Sequence, residues 1–245
     1  AGQRVGLWVG LGFLGKGPVA LVVPVGTLLI YWLFAPAYRL RIKLLILNLR
    51  SWLVFAVVAL PWYVYAYLRH GRQFIEGFLL KHNVERFMGS MEGHSGHWAY
   101  FLIALPLLWL PWSALWLRAL GNFKTHWENP FLKYCWIWFL FVFVFFTLAN
   151  TKLPHYLLYA GPAMCLIIAY TSLHASRLTW ILTWLLALLG LSILIMGPSY
   201  LQDYPEWVSD PYYKALLEGS PQTDMKVWIF ALPLIIYVAP AFIFF

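Results

Sequence analysis

Seven runs of mostly apolar residues, each close to 20 long, divide the sequence: 18–36, 44–65, 98–117, 134–150, 155–172, 180–198 and 227–245. A helix of about 20 apolar residues matches the hydrocarbon thickness of a bilayer. Backbone polar groups in lipid must be satisfied internally, so runs of this kind fold as helices and not as open strands. An eighth apolar stretch, 5–15, is too short to cross alone. The composition agrees. Hydrophobic residues make up 62% of the chain and charged residues 11%, against about a quarter charged in soluble domains. Too few charges exist to cover a soluble surface, which excludes a soluble enzyme, a disordered chain and a disulfide scaffold. The expected architecture is an all-α polytopic transmembrane bundle, with seven spans and one short apolar helix. Aromatic residues reach 20%, and Trp and Tyr favour membrane interfaces. The chain begins at Ala1 and ends inside an apolar run at Phe245. It therefore reads as a fragment, 1–245, of a longer membrane domain.

Alternation of the spans sorts the connecting segments onto two sides. One side holds Arg4, Arg39, Arg41, Lys43, Arg50, Arg118, Lys124, Lys133 and Arg177, against Glu128 alone. The other side mixes basic and acidic residues in equal number, so the net charge of +8 sits wholly on the first side. Short basic loops mark the cytoplasmic face. The basic balance thus reads as topology. No soluble face gathers the basic residues, so nucleic acid is not an expected partner.

Two longer segments fall on the outer side, 66–97 and 199–226. Within the first, 72–87 places Phe74, Ile75, Phe78 and Leu79 on one helical face, with Arg72–Glu76 and Lys81–Glu85 at i,i+4 spacing. That pattern predicts an amphipathic helix lying in the interface. The second is rich in Tyr, Pro and Asp and reads as a surface loop.

Gly10, Gly12 and Gly15 spell G-x-G-x-x-G, and Gly10, Gly15 and Lys16 approach a P-loop. A dinucleotide fingerprint needs an acidic residue about 20 positions further on, and none occurs before Glu76. A P-loop needs Ser or Thr after its Lys, and Gly17 stands there. Close helix packing explains these glycines better, since Gly6 and Gly10 also form G-x-x-x-G. His94 and His97 lie near Glu92, but Ser95-Gly96 between them argues against a rigid metal site.

Three polar islands interrupt the apolar chain on the outer side. Lys16-Gly17-Pro18 joins two apolar runs. Lys81, His82, Asn83, Glu85 and Arg86 cluster in the first outer segment. Asn150-Thr151-Lys152-Leu153-Pro154-His155-Tyr156 separates two spans. A lysine at such depth reaches the interface or a polar cavity. Each island also has a plain reading as a solvated or snorkelling group. Together they could form a pocket for a lipid-linked phosphate.

These residues also carry a resemblance. GLGFLGKGPVALVVP (10–24) resembles the L-T-K-G-P-V-A segment of bacterial integral-membrane glycosyltransferases. The segments 60–89 and 93–112 are similar to a Pro-Trp-Tyr span end, an H/N-x-x-R-F element and a span closing in Leu-Pro-Trp. TKLPHYLLYAGPAMCLI (151–167) resembles the K-L-P-x-Y-x-L element. The family is the GT-C-fold group of the lipid A aminoarabinose transferase and the protein O-mannosyltransferases. The likeness covers most of residues 10–170.

The resemblance implies a bacterial inner-membrane, multi-pass enzyme. It would transfer a sugar, with inversion, from a polyprenyl-phosphate donor to a lipid, protein or glycan acceptor on the outer face. Lys16, Arg86, Lys152 and Tyr156 match positions implied to meet the donor phosphate, with His82 and His155 as secondary candidates. The catalytic Asp of the family is expected upstream of Ala1, so no catalytic residue is assigned. Gly15 stands where Thr is usual. Lys81 and His82 stand where some relatives have histidines, so no cofactor is firmly implied and a divalent metal, though possible, finds no support. Alternatives are a secondary transporter or flippase, which predicts repeats and mid-span charges, and a non-catalytic membrane subunit.

Overall fold

In the computed structural model, which describes residues 2–78, 97–208 and 214–215, the apolar runs are helices. First come α1 (Gly2–Lys16), α2 (Val19–Phe34), α3 (Arg39–Ile46), α4 (Leu49–His70) and the single turn α5 (Arg72–Phe74). Then follow α6 (Tyr100–Leu108), α7 (Ser113–Gly121), α8 (Phe123–Glu128), α9 (Pro130–Leu148), α10 (Gly161–Ser172) and α11 (Arg177–Asp203). Short 3₁₀ turns occupy Pro36–Tyr38, Pro154–Ala160 and Pro205–Trp207. No strand occurs among the described residues, and the fold is all-α as expected.

Several boundaries differ from the sequence expectation. The run 98–117 is not one helix but α6 and α7. Pro111 has no N–H to donate and its ring crowds the preceding turn, which favours a break there, whereas α2, α4 and α6 accommodate Pro24, Pro61 and Pro106 within them. The run 44–65 starts later and ends later, as α4. The Asn48 side chain accepts from Ser51 N at 3.1 Å and caps a new helix, which separates α3 from α4. The helix then continues to His70, where Gly71 takes a φ of 56° and stops it. The run 155–172 opens as the 3₁₀ turn Pro154–Ala160 before α10 begins with Pro162 in its first turn. The run 180–198 is α11, which begins after the capping Ser176 and runs on to Asp203. The expected span 227–245 lies outside the described residues.

Two compact units emerge. One comprises Ala1–Leu108 and Ala119–Leu173; the other comprises Trp109–Arg118 and the residues from His174. In the second unit an Arg118 Nη donates to His174 O at 2.8 Å. Tyr200, Tyr204 and Trp207 cluster at the end of α11.

In the first unit α1 packs against α4 through glycine. A Cβ on Gly6 would stand 2.1 Å from the Ser51 carbonyl oxygen, and one on Gly10 would stand 3.0 Å from Val58. Tyr63 then donates its hydroxyl to Phe13 O at 2.7 Å. Residues 6, 10 and 13 thus meet 51, 58 and 63, and the two helices run parallel. The glycines serve packing, as G-x-x-x-G suggests. Helix α2 runs antiparallel to α9. Gly26 faces Phe141, and Tyr31 donates its hydroxyl to Pro130 O at 3.0 Å. Helix α9 forms the centre, burying Leu132, Cys135, Trp136, Ile137, Phe139, Val142 and Phe146. Ala163, Met164 and Ile167 of α10 are buried as well, and α10 packs on α9.

The outward faces are apolar. On α4, Leu53 is 56% exposed and Val57 74%. Among the described residues α4 and α9 are long and apolar enough to cross a membrane. The 22 residues of α4 reach about 33 Å. The helices α2 and Arg177–Ile193 are apolar but shorter. Outward faces with this much apolar surface suit lipid and not water.

Candidate functional site

The site residues read from the sequence are gathered by helix direction. Lys16 is the last residue of α1, and α2 starts three residues later. Because α2 and α9 are antiparallel, the start of α2 lies at the end of the unit where α9 stops, at Leu148. Lys16 and the Asn150–Tyr156 island therefore share one end of the unit. The end of α4 joins them, since α4 parallels α1.

Lys16 is exposed and makes no hydrogen bond or ion pair among the described residues. The next residue explains its placement. Gly17 adopts a φ of 65°, and its N–H donates to Phe13 O at 2.8 Å. A left-handed glycine closes the helix, and Pro18 prevents it from resuming as one rod. The lysine is left at the rim of the turn, where its cation also complements the helix dipole.

Lys152 is placed differently. It is only 7% exposed. Its ammonium donates to the carbonyls of Phe146, at 3.4 Å, and of Thr147 and Ala149. Those carbonyls lie at the C-terminal end of α9 and have no partner within the helix. The ammonium also lies 5.9 Å from the Phe101 ring centroid. Lys152 thus caps α9 with its three donors. Burial pulls its pKa below the usual lysine value. No carboxylate pairs with it among the described residues, where Arg72–Glu76 is the one salt bridge.

Tyr156 stands beside this cap. Its ring lies 4.6 Å from the Phe146 ring, and Tyr159 stacks on Phe146 at 5.4 Å. His155 is exposed and meets Tyr156 edge-on at 4.9 Å. Lys152, Tyr156 and His155 are therefore brought together around Phe146. Sequence reasoning missed Phe101 and Phe146 as the walls of this group. The aromatic opening of the span after His97 was the available signal for Phe101.

The Lys16 end has an aromatic wall of its own. Phe74 and Phe78 stack at 5.5 Å, with rings nearly parallel at 5°. Both pack on Tyr63, which also touches Phe13. Residues 72–78 fold back over the end of α4 from the Gly71 turn. Arg72 pairs with Glu76 at 2.8 Å, as its spacing predicts. The rest of the segment 72–87, with Lys81, His82, Glu85 and Arg86, lies outside the described residues, as does His94. His97 accepts from Ala99 N on its Nδ1 at 3.2 Å. Among the described residues no three His, Cys, Asp or Glu side chains gather as a metal site.

Chemically, the described residues of this end offer the unpaired Lys16, the buried Lys152, Tyr156 and two aromatic walls. That combination suits a phosphate whose carrier is an apolar chain.

No family model matches the chain. It is 32% identical over 154 residues to the undecaprenyl phosphate-alpha-4-amino-4-deoxy-L-arabinose arabinosyl transferase of Pseudomonas paraeruginosa, covering 63% of this chain and 27% of that protein. It is 30% identical over 168 residues to the second transferase of that name in Proteus mirabilis, covering 68% and 30%. An uncharacterized protein of Aquifex aeolicus is 32% identical over 160 residues, covering 65% and 35%. The chain spans about a third of the length of these relatives. Its structure matches the crystal structure of ArnT from Cupriavidus metallidurans bound to undecaprenyl phosphate, with a TM-score of 0.64 and 21% identity. That match covers 87% of this chain and 38% of the other. The resemblance read from the motifs is borne out: two of these relatives carry the aminoarabinose transferase name, and the all-α fold matches that of ArnT, a GT-C fold.

Proposed function

We propose that this chain carries the donor-binding part of an inner-membrane, multi-pass glycosyltransferase. The enzyme transfers a sugar from a polyprenyl-phosphate carrier to a lipid, protein or glycan acceptor at the outer face. The observation that carries this reading is the exposed, unpaired Lys16 at the same end of the unit as Lys152 and Tyr156. Two of the relatives are named for an undecaprenyl-phosphate sugar donor, and the structural neighbour is bound to undecaprenyl phosphate. Both support a lipid-phosphate donor as the ligand class.

In this reading the leaving group is the polyprenyl phosphate. Its negative charge grows as the glycosidic bond breaks, and preorganised cations lower the barrier. Lys16 meets the phosphate oxygens directly, and Tyr156 offers a hydroxyl. Arg86 supplies a forked donor on the strength of its motif. Lys152 contributes positive potential from behind, its N–H groups being held by carbonyls. His82 and His155 are secondary contacts.

The test is a transfer assay with the intact protein and an undecaprenyl-phosphate sugar. Lys16→Ala and Tyr156→Phe are each expected to lower turnover while membrane insertion and thermal unfolding stay as in the parent. Unchanged turnover in both variants would sink the phosphate pocket.

A further inference from the structure

The opposite end of the first unit is built for a different ligand. Helix α3 has eight residues, RLRIKLLI. The bilayer crossing does not need it, because α4 alone reaches about 33 Å from its Asn48 cap. At 100° per residue its side chains divide into sectors. Ile42, at 5% exposure, faces the core. Leu40 and Leu44 form an outward ridge, 68% and 62% exposed. Arg41 and Lys43 flank that ridge on either side.

Arg39 is committed to the fold. Its guanidinium donates to Trp32 O at 3.1 Å and Leu33 O at 3.3 Å, and lies 5.0 Å from the Trp32 ring. It ties α3 to the C-terminal end of α2. Arg41 and Lys43 are exposed and make no hydrogen bond or ion pair among the described residues. Arg4 and Arg50 are in the same condition.

Beside these cations opens an apolar cleft of about 70 Å³ between α1, α2, α3 and α4. Val5, Val9, Val25, Leu28, Ile46 and Trp52 line it. Arg4 immediately precedes the lining residue Val5, Arg50 precedes Ser51, and Lys43 lies two residues before Leu45. No acidic residue occurs in the sequence before Glu76. The slot's lining holds no carboxylate and four cations lie on the helices that form it; Glu128, on the same side by loop alternation, belongs to α8 and not to the slot.

We propose that this cleft holds an acyl chain of an anionic glycerophospholipid, whose phosphate is met by Arg41 and Lys43. The lipid belongs to the leaflet opposite the Lys16 end, so it is distinct from the donor. The proposal rests on the membrane reading above, but not on the transfer reaction. A zwitterionic lipid brings its own ammonium to the cations and loses the attraction. A free phosphate gains nothing from the apolar slot.

The test is native mass spectrometry of the full chain released from vesicles of phosphatidylglycerol mixed with phosphatidylcholine of the same acyl chains. Phosphatidylglycerol is expected to be retained preferentially. Each basic group near an anionic headgroup contributes about fivefold in affinity, so the pair R41Q/K43Q should lose about 25-fold. V25F fills the cleft and should abolish retention with the cations intact; L28F serves if V25F fails to fold. Equal retention of the two lipids overturns the proposal, as does retention unchanged in R41Q/K43Q. Retention unchanged in the cleft-filled variant also overturns it, as does displacement of the lipid by millimolar glycerol phosphate. A chain that alkaline carbonate strips from vesicles fails the membrane reading itself, and this is seen before any lipid is measured.

Discussion

Lys16-Gly17-Pro18 and Lys152-Leu153-Pro154 have the same pattern, a lysine two residues before a proline at the end of an apolar helix. They lie at the same end of the unit, yet their cations are in opposite states. Lys16 is the last residue of its helix and projects outward, because Gly17 closes the backbone behind it. The α1 carbonyl at Phe13 is already served by Gly17 N and the Tyr63 hydroxyl. The end of α9 has no such glycine. Ala149 leaves the helix in an extended conformation, and the carbonyls of Phe146, Thr147 and Ala149 turn to the Lys152 ammonium instead. A backbone cap leaves one lysine uncommitted; a missing one recruits the other into the architecture.

The comparison breaks most visibly in transfer. In the intact protein Lys16→Met is expected to lower kcat/KM by about a hundredfold, the usual cost of removing one preorganised donor. Its stability should stay within about 0.5 kcal/mol of the parent, as for other exposed substitutions. Lys152→Met should show the reverse emphasis. It keeps the apolar stem but leaves buried carbonyls unpaired, at about 1–3 kcal/mol measured by denaturant unfolding. A Lys152 variant of normal stability, or a destabilised Lys16 variant, would erase the distinction. Gly17→Ala places a side chain at a φ of 65° and should cost about 1–2 kcal/mol in thermal unfolding. It should also misplace Lys16, raising KM for the donor. Smallest is Asn129→Ala. Asn129 caps the other end of α9 by accepting from Phe131 N at 2.9 Å and Leu132 N at 3.3 Å. Its loss should cost about 1 kcal/mol without touching transfer, so it reports α9 stability alone.

How much of this was legible beforehand varied with the kind of signal. The helical class followed from run length and lipid physics alone. The glycine seam of α1 was visible as Gly6 and Gly10. Phe74 and Phe78 were correctly placed on one face, although their partner, Tyr63, could not be named from spacing. The stop at Gly17 was also readable, since a lysine, a glycine and a proline in that order mark a helix end. Hydropathy averaged over the breaks, however. It merged α3 into α4 across Asn48, whose polarity is outweighed by its leucine neighbours. It likewise bridged the Pro111 break between α6 and α7. The role of Lys152 was least legible, because the carbonyls that bind it belong to the backbone. Backbone acceptors have no letter in a sequence, so a capping lysine and a ligand-binding lysine are written alike.

The glycine seam between α1 and α4 has a consequence for biogenesis. Parallel neighbours cannot form a hairpin, so α1 must wait until α2, α3 and the start of α4 have been made. At roughly 5–20 residues per second, the interval between Gly6 and Ser51 lasts several seconds. Through that interval the flat face of α1 is open to lipid or to a chaperone at the insertion site. The seam thus closes only after α2 and α3 have been made, though before α9 and α10 of the same unit exist.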